Sequence, residues 1–217
     1  NGTFVNRTGL PSFIVTLGTM TIFLGIGKHL AGASTVQVDR RRIPAWLADL
    51  TSTMPPDWVG WLPNVATGVW LALAVAAGVA WLLRSTVFGR HVFALGSSEP
   101  TARLCGVNIA GTKLAVYALA GALMGLAGVY AFSLVRIANP VEGIGRELKF
   151  IAAVVIGGGS LSGGRGSVLG TLAGAAIMGV IASGCDQLGI SNATQDIVVG
   201  VIIVIAVTID QFRRQRT

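Results

Sequence analysis

The sequence is poor in charged residues. Only 12% of its 217 residues are Asp, Glu, Lys or Arg, and 53% are hydrophobic, whereas about 25% charged residues is usual in a soluble domain. A soluble protein of this length needs a polar surface to cover its core, and this composition cannot supply one. The shortage of charge argues against a soluble all-helical protein and favours a chain that crosses a lipid bilayer.

Cysteine and histidine are also scarce. Cys105 and Cys185 form neither a disulfide framework nor a metal-ligand spacing, so we interpret both as free thiols. His29 and His91 lie far apart and outside any H-E-x-x-H pattern. The acidic residues stand almost entirely in loops, which weakens the case for a proton-driven carrier with buried carboxylates. We therefore expect no catalytic residue, no metal site and no cofactor, and the protein is not expected to be an enzyme.

The net charge of +7 does not indicate a nucleic-acid-binding protein. The basic residues are not gathered in one stripe, and no aromatic stacking surface accompanies them. Basic loops at the face of a membrane explain the charge better. Membrane lipid is therefore the expected environment, and nucleic acid is not an expected partner.

What the sequence does contain is apolar runs of membrane length, which takes about 20 residues. Such runs lie at about 12–30, 64–83, 112–134 and 195–212. Two further apolar stretches, at about 147–156 and 168–185, are separated by glycines. The first would reach only about half of a ~30 Å hydrocarbon core. We therefore predict an all-α, polytopic membrane helix bundle with about six membrane segments, one of them short and interrupted by glycine.

If successive segments cross the membrane in alternate directions, the basic loops indicate the orientation of the chain. If the basic tail is cytoplasmic, then Arg7, the 84–113 loop and Arg165 are cytoplasmic too, as the excess of basic residues in inner loops favours. The arginines at 40–42 then fall outside, against the same rule, in an expected external loop of about 33–63. A re-entrant 147–156 segment would put the tail and the 84–113 loop on opposite sides. We favour six crossings.

A glycine-rich stretch separates the two shorter segments and contains Gly157, Gly158, Gly163, Gly164 and Gly166. Its glycine spacing is that of a phosphate-binding loop, but an Arg-Gly pair replaces the required Lys-Ser or Lys-Thr pair. We therefore reject nucleotide binding. Two interpretations remain, a tight cytoplasmic turn and a hinge that uses the positive φ angles open to glycine.

Two G-x-x-x-G patterns place small residues along one helix face, Gly121 with Gly125 and Gly170 with Gly174. In lipid, helices associate through close backbone approach, so we predict helix packing at both pairs.

Polar residues also stand near the predicted outer helix ends, namely Asn64, Asn139, Asn192 and Gln195. The three asparagines are candidates for a solute pathway, because they could hydrogen-bond a hydroxylated solute. The alternative is that such residues cap helices.

The most informative polar segment is the loop at about 84–112. Ser97 or Ser98 is a predicted N-cap, Glu99 and Pro100 follow in the first turn, and Gly106 is the predicted C-cap. So compact a helix between two membrane spans favours docking into the groove of a partner over a solvated linker. The candidate coupling residues are Gly96, Ser98, Glu99, Ala102, Arg103, Leu104 and Gly106.

These segments resemble a known family. Residues 88–108, followed by Lys113-Leu114-Ala115-Val116-Tyr117, are similar to the ALGSNExAARLxGINVxxxKxxVY pattern of ABC-transporter permeases for monosaccharides, the ribose, xylose and galactose type. Residues 152–158 and 163–167 resemble that family's AAVVIGGTSLxGGxGS segment, and residues 11–18 match as well. The chain differs at Pro100, where alanine is usual, and at Cys105, where a small polar residue is usual.

The resemblance implies the C-terminal part of a transmembrane permease domain, over residues 1–217, in the bacterial cytoplasmic (inner) membrane. It implies cytoplasmic ATPase subunits, a second permease copy (the same chain or a close homologue) and an extracytoplasmic sugar-binding protein as partners. The capped helix would be the coupling helix. The family's earlier spans are absent, so the fragment alone is not expected to transport. A branched-chain amino-acid permease and an ATP-independent secondary carrier are the alternatives.

Overall fold

The computed structural model describes residues 1–32, 34–38, 44, 47, 66–141 and 143–215. These residues are almost entirely helical, which confirms the predicted all-α membrane bundle. The helices are α1 (Gly2–Thr8), α2 (Ser12–Leu30), α3 (Thr67–Ser85), α4 (Val87–Ser97), α5 (Glu99–Leu104), α6 (Ile109–Val135), α7 (Arg146–Ile156), α8 (Val168–Gln187) and α9 (Asn192–Gln215). Two short strands, β1 (Val36–Gln37) and β2 (Ile137–Ala138), complete the described elements.

Four of these helices, α2, α3, α6 and α8, are long and apolar enough to cross a membrane. The apolar part of α9 covers Ala193–Ile205. Helix α7 has 11 residues, a length of about 16 Å, so it cannot span the hydrocarbon core by itself. The predicted start and end of α2 and the predicted start of α8 agree with the structure to the residue. Helices α1 and α4 were not predicted.

The long helices leave much apolar surface uncovered by protein. Helix α2 has no buried residue, and Phe13 and Phe23 are each 71% exposed. Such apolar surface would be costly in water but not in lipid tails, which are themselves apolar. The exposure therefore agrees with a membrane environment.

The chain divides into two units. The first comprises Asn1–Ala76 and Asn108–Glu142, and the second comprises Ala77–Val107 and Gly143–Thr217. Helix α3 begins in the first unit and ends in the second.

In the first unit, α1 packs against α6. The Asn6 side chain donates a hydrogen bond of 2.8 Å to the carbonyl oxygen of Ala110 and so fixes the end of α1 beside the start of α6. Strands β1 and β2 pair antiparallel, with Val36 opposite Ala138. This pairing holds the segment after α2 against the segment after α6.

In the second unit, α7 packs against both α8 and α9. Its buried residues Ala152 and Ala153 form a core with Met178 of α8 and Val199 of α9. Alanine leaves little distance between helix axes, and this lets the short α7 fit closely between two longer helices. This group of three helices positions the glycine-rich stretch at one end and a polar cavity at the other.

Candidate functional site

Helix α5, the candidate coupling helix, is closed at both ends by local hydrogen bonds. The Ser98 hydroxyl accepts a hydrogen bond from the backbone N–H of Thr101, at 3.4 Å. At the other end, the N–H of Gly106 bonds the Arg103 carbonyl and the N–H of Val107 bonds the Ala102 carbonyl, both at 3.0 Å. These two bonds form a Schellman motif, which ends a helix when the residue after the C-cap is left-handed.

The N-cap of α5 agrees with the sequence prediction, whereas the C-cap differs from it by one residue. Ser98 is the N-cap, one of the two serines that the sequence offered. Gly106 is not the C-cap itself, because the C-cap is Cys105. Gly106 follows it with φ of 79°, the left-handed position for which glycine has no steric penalty.

The exposed face of α5 differs from the face expected from the sequence. Ala102 is only 3% exposed, so it faces the protein and cannot contact a partner in this conformation. Leu104 is 89% exposed, and Pro100 and Arg103 are exposed beside it. The exposed face of α5 is therefore formed by these three residues, with Glu99 at its edge, and Ala102 faces the protein. Docking of a partner on this face stays a prediction.

Helix α4 was missed in the sequence analysis. The Thr86 hydroxyl caps it by accepting a hydrogen bond of 3.2 Å from the N–H of Gly89. Phe88, Val92 and Leu95 stand at helical spacing along it, and this pattern could have revealed the helix. Because α4 ends at the residue before the N-cap of α5 and contacts that helix, it positions α5.

The glycine-rich stretch between α7 and α8 is a closed turn. The N–H of Ser160 bonds the Arg165 carbonyl at 3.0 Å, and the N–H of Gly163 bonds the Ser160 carbonyl at 3.1 Å. Gly158, Gly163 and Gly164 all have φ between 76° and 89°, which side-chain-bearing residues rarely adopt. The stretch forms a defined turn in this conformation, and its use as a hinge stays a prediction.

This turn lies directly against the end of α4. A Cβ at Gly163 would come 2.6 Å from the Gly96 carbonyl oxygen, and one at Gly164 would overlap the Ser97 side chain. The approach is possible because glycine stands on both sides of the contact. Gly96, a candidate coupling residue, and Gly164, a candidate turn residue, therefore belong to one site.

The two glycine pairs have different surroundings. In α8, a Cβ at Gly174 would overlap the Ala153 carbonyl of α7, and one at Gly170 would overlap the Gly157 carbonyl. In α6, nothing described lies within 4 Å of a Cβ at Gly121 or at Gly125. Packing at Gly121 and Gly125 stays a prediction.

The candidate solute-pathway residues fall in different parts of the chain. Asn64 lies outside the described residues. Asn139, in the first unit, accepts a hydrogen bond of 3.1 Å from the N–H of Val141 and so closes a local turn. Asn192 is the first residue of α9, in the second unit. Their role in a pathway stays a prediction.

The site joins α5 to the pair of helices α7 and α8 through packed backbone. Over the ranges that the structure describes, no group of three or more His, Cys, Asp or Glu residues could hold a metal ion. What the site provides is a continuous set of contacts. They run from the exposed face of α5, through α4 and the Gly96–Gly164 contact, to the pair of helices α7 and α8.

Comparison with known proteins gives one family and several relatives. The family described as "Branched-chain amino acid transport system / permease component" matches residues 1–207. The chain is 35% identical to the ribose import permease protein RbsC of Haemophilus influenzae over 213 residues, 98% of this chain and 64% of that protein. It is 36% identical to RbsC of Escherichia coli K12 over 96% of this chain and 63% of that protein. It is also 34% identical to the fructose import permease protein FrcC of Rhizobium meliloti, over 99% of this chain and 59% of that protein.

No solved structure matches the chain. The chain spans less than two thirds of the length of these relatives. The family match, in contrast, covers nearly the whole chain, and the membrane-length helices agree with it. The resemblance inferred from the sequence motifs is thus confirmed, and the chain is an integral protein of the bacterial cytoplasmic membrane. It belongs to the branched-chain amino acid transport system / permease component family.

Proposed function

We propose that the chain is the C-terminal part of the permease subunit of an ATP-driven ABC importer that carries a monosaccharide. The observation that carries this proposal is the similarity, along almost the whole chain, to import permeases named for ribose and fructose and to an L-arabinose transport permease. The permease itself is not an enzyme in this proposal, because a separate ATPase subunit hydrolyses ATP. The family description favours a second candidate, a branched-chain amino acid.

The composition of the spans supports a neutral solute. The charges of α3, α6 and α8 stand near the helix ends, at Arg84, Lys113 and Asp186. Lys28 of α2 is also close to its helix end. A zwitterionic amino acid needs groups of both signs along its path, whereas a sugar needs hydroxyl and amide partners. Away from the helix ends, threonine, serine and tyrosine hydroxyls are the main polar groups of these four spans.

The coupling helix in this proposal is α5, which docks into a groove of the ATPase. Its support is the exposed face of Pro100, Arg103 and Leu104 on a helix fixed by caps at both ends. Arginine is one of the residue types that most often dominate binding at protein interfaces, and Leu104 adds apolar surface beside Arg103. The other proposed partners are a second permease copy and an extracytoplasmic sugar-binding protein.

The test is uptake by the full-length permease, reconstituted in vesicles with its ATPase and binding-protein subunits. Radiolabelled ribose, fructose, L-arabinose and leucine are compared with and without ATP inside the vesicles. We expect uptake of one of the sugars, only with ATP and only when the ATPase is present. Uptake of leucine but of none of the sugars would support the second candidate. Sugar uptake without the ATPase would contradict the ATP-driven mechanism and indicate a secondary carrier.

A further inference from the structure

A groove lies in the second unit, between the last turns of α3, helix α4 and the start of α8. Its volume is about 320 Å³, within the ~300–1,000 Å³ of small-molecule sites. Its lining is mostly apolar and includes Leu83 of α3, Phe93 of α4, and Val168 and Leu169 of α8. Because α3 and α8 are both of membrane length, the groove lies where one span ends and another begins, at the boundary between lipid tails and water.

Close backbone contacts hold the walls of this groove in place. A Cβ at Gly89 would overlap the Leu83 carbonyl, so the start of α4 lies directly on the end of α3. Near the other end of α4, a Cβ at Gly164 would overlap the Ser97 side chain, so the turn that leads into α8 lies against α4. The groove is therefore formed by packed elements and not by a gap between loosely placed helices.

The charges at this groove are basic. Arg84 lines it, and Arg165 stands directly before the lining segment 166–169. Both arginines are exposed, and neither forms an ion pair with an acidic residue in the ranges that the structure describes. The polar cavity at the start of α7 differs, because Arg146, Lys149 and Asp196 give its lining charges of both signs. The groove beside α3 thus complements an anion.

The apolar walls indicate which kind of anion fits the groove. Leu169 is 75% exposed in the first turn of a membrane-length helix. A free phosphate ion has no apolar surface with which to cover such a wall. A phospholipid supplies both parts, an acyl chain for the apolar walls and a phosphate for a guanidinium, which binds phosphate oxygens through two N–H groups.

The predicted orientation of the chain agrees with such a ligand. It places the 84–113 loop and Arg165 at the cytoplasmic face, so the groove meets the inner leaflet. Basic sites between membrane helices on the cytoplasmic side are suited to anionic lipid headgroups. A long arginine side chain can lie along apolar surface while its charged end stays at the level of the headgroups.

We propose that this groove binds an anionic phospholipid. Arg84 holds the phosphate, with Arg165 beside it, and one acyl chain lies against the apolar walls at Leu83, Phe93 and Leu169. The lipid contacts α3, α4 and α8 together and so stabilises their arrangement. This inference goes beyond the proposed function and does not depend on which solute is carried.

The test measures lipid binding to the purified full-length permease in a neutral detergent, by native mass spectrometry. The probes are dioleoyl phosphatidylglycerol, which is anionic, dioleoyl phosphatidylcholine, which is zwitterionic, and inorganic phosphate. We expect the anionic lipid to bind about tenfold more tightly than the zwitterionic one, or more, because only the first has a net charge to pair with the arginines.

Three variants locate the binding. Arg84→Gln is expected to weaken the binding of phosphatidylglycerol about fivefold, the effect of one charge beside an anionic headgroup, and Arg165→Gln should act in the same direction. Ala80→Phe keeps both arginines but fills the groove, which Ala80 lines, and should abolish the binding. Arg7→Gln, at an exposed arginine of the first unit that is predicted to face the same side, is the matched control and should bind as the unaltered permease does.

A preference for phosphatidylglycerol that is reduced in the groove variants and kept in the control supports the proposal. Equal binding of the two lipids, or unchanged affinity in Arg84→Gln or in a folded Ala80→Phe variant, would overturn it. Equal losses in Arg84→Gln and Arg7→Gln would indicate unspecific attraction and also overturn it. Displacement of the lipid by millimolar phosphate would assign the groove to a soluble anion instead. If no lipid binds and Ala80→Phe lowers the unfolding midpoint, a protein segment fills the groove and the proposal is wrong. If Ala80→Phe does not fold, the variants at the two exposed arginines decide. None of these measurements requires transport, so a failure of the proposed function would leave their outcome unchanged.

Discussion

The backbones of Gly96 and Gly164 are in direct contact. A Cβ at Gly96 would lie 2.5 Å from the amide nitrogen of Gly164, closer than any side chain tolerates. Gly96 is the second-to-last residue of α4, the helix that leads into α5. Gly164 lies in the turn that joins α7 to α8. The contact therefore connects the end of α4, which leads into the proposed docking helix, to the turn between α7 and α8.

Replacing Gly96 by alanine is expected to destabilise the second unit by about 1–3 kcal/mol, because the new methyl group overlaps backbone that cannot rotate away. ATP-driven uptake should fall as well, since the link between α4 and the turn is disturbed. Gly78→Ala in α3 is the control, because nothing described lies within 4 Å of a Cβ there. The measurement is the thermal unfolding midpoint of the purified full-length permease. Equal midpoints for the two variants would contradict the close contact.

A matched pair of glycines in α8 tests the packing of α7 against α8. Gly174→Ala places a methyl group on the Ala153 carbonyl and is expected to cost about 1–3 kcal/mol. Gly179→Ala, five positions later in the same helix, meets nothing within 4 Å and should be neutral or stabilising by up to ~1 kcal/mol. Denaturant-induced or thermal unfolding of the two variants, in the same detergent, measures the change in stability. A loss of stability at Gly179 as large as at Gly174 would show that helix packing does not explain the difference.

The sequence predicted the helical class and the long spans because apolar length alone determines them in a membrane. It also predicted Ser97 or Ser98 as the N-cap of α5, and the structure shows Ser98, because a serine hydroxyl before the first turn can accept from its free backbone N–H groups. The pattern G-x-x-x-G, in contrast, does not specify a partner. Gly170 and Gly174 meet a neighbouring helix in the structure, whereas nothing described lies against Gly121 and Gly125.

The inward position of Ala102 could not be read from the sequence either. Helix α5 is too short for a periodic pattern to define its faces, and its orientation depends on α4, which was not predicted. The Gly96–Gly164 contact joins residues 68 positions apart, so no local pattern contains it.

The N-cap of α5 gives a prediction on local order. Ser98→Ala removes the hydroxyl that accepts from the Thr101 N–H and should destabilise the helix by about 1 kcal/mol. Ser98→Asn keeps a capping acceptor and should retain most of the stability. Amide hydrogen exchange of the 99–105 segment in the full-length protein measures the change. Faster exchange is expected for the alanine variant alone, and equal protection in both variants would show that the cap does not hold the helix.

Leu104 gives the sharpest test of docking. It is 89% exposed on a helix of six residues, so its removal cannot create a cavity in the permease. If it anchors α5 in the ATPase groove, Leu104→Ala should weaken the association by about 1–3 kcal/mol, or ~5- to 150-fold in Kd. Titration of the ATPase subunit against the full-length permease in lipid nanodiscs measures this, and ATP-driven uptake should fall in parallel.

The control for Leu104 is Leu188→Ala, at the opposite end of the α7–α8 pair. Leu188 is 78% exposed and directly follows α8, so its truncation changes a comparable apolar surface. Six predicted crossings place it on the outer side, away from a cytoplasmic ATPase. The Kd of the Leu188→Ala variant for the ATPase should therefore equal that of the unaltered permease. If both leucine variants bind the ATPase as tightly as the unaltered protein, α5 is not the docking helix. If Leu188→Ala alone weakens binding, the predicted orientation is inverted.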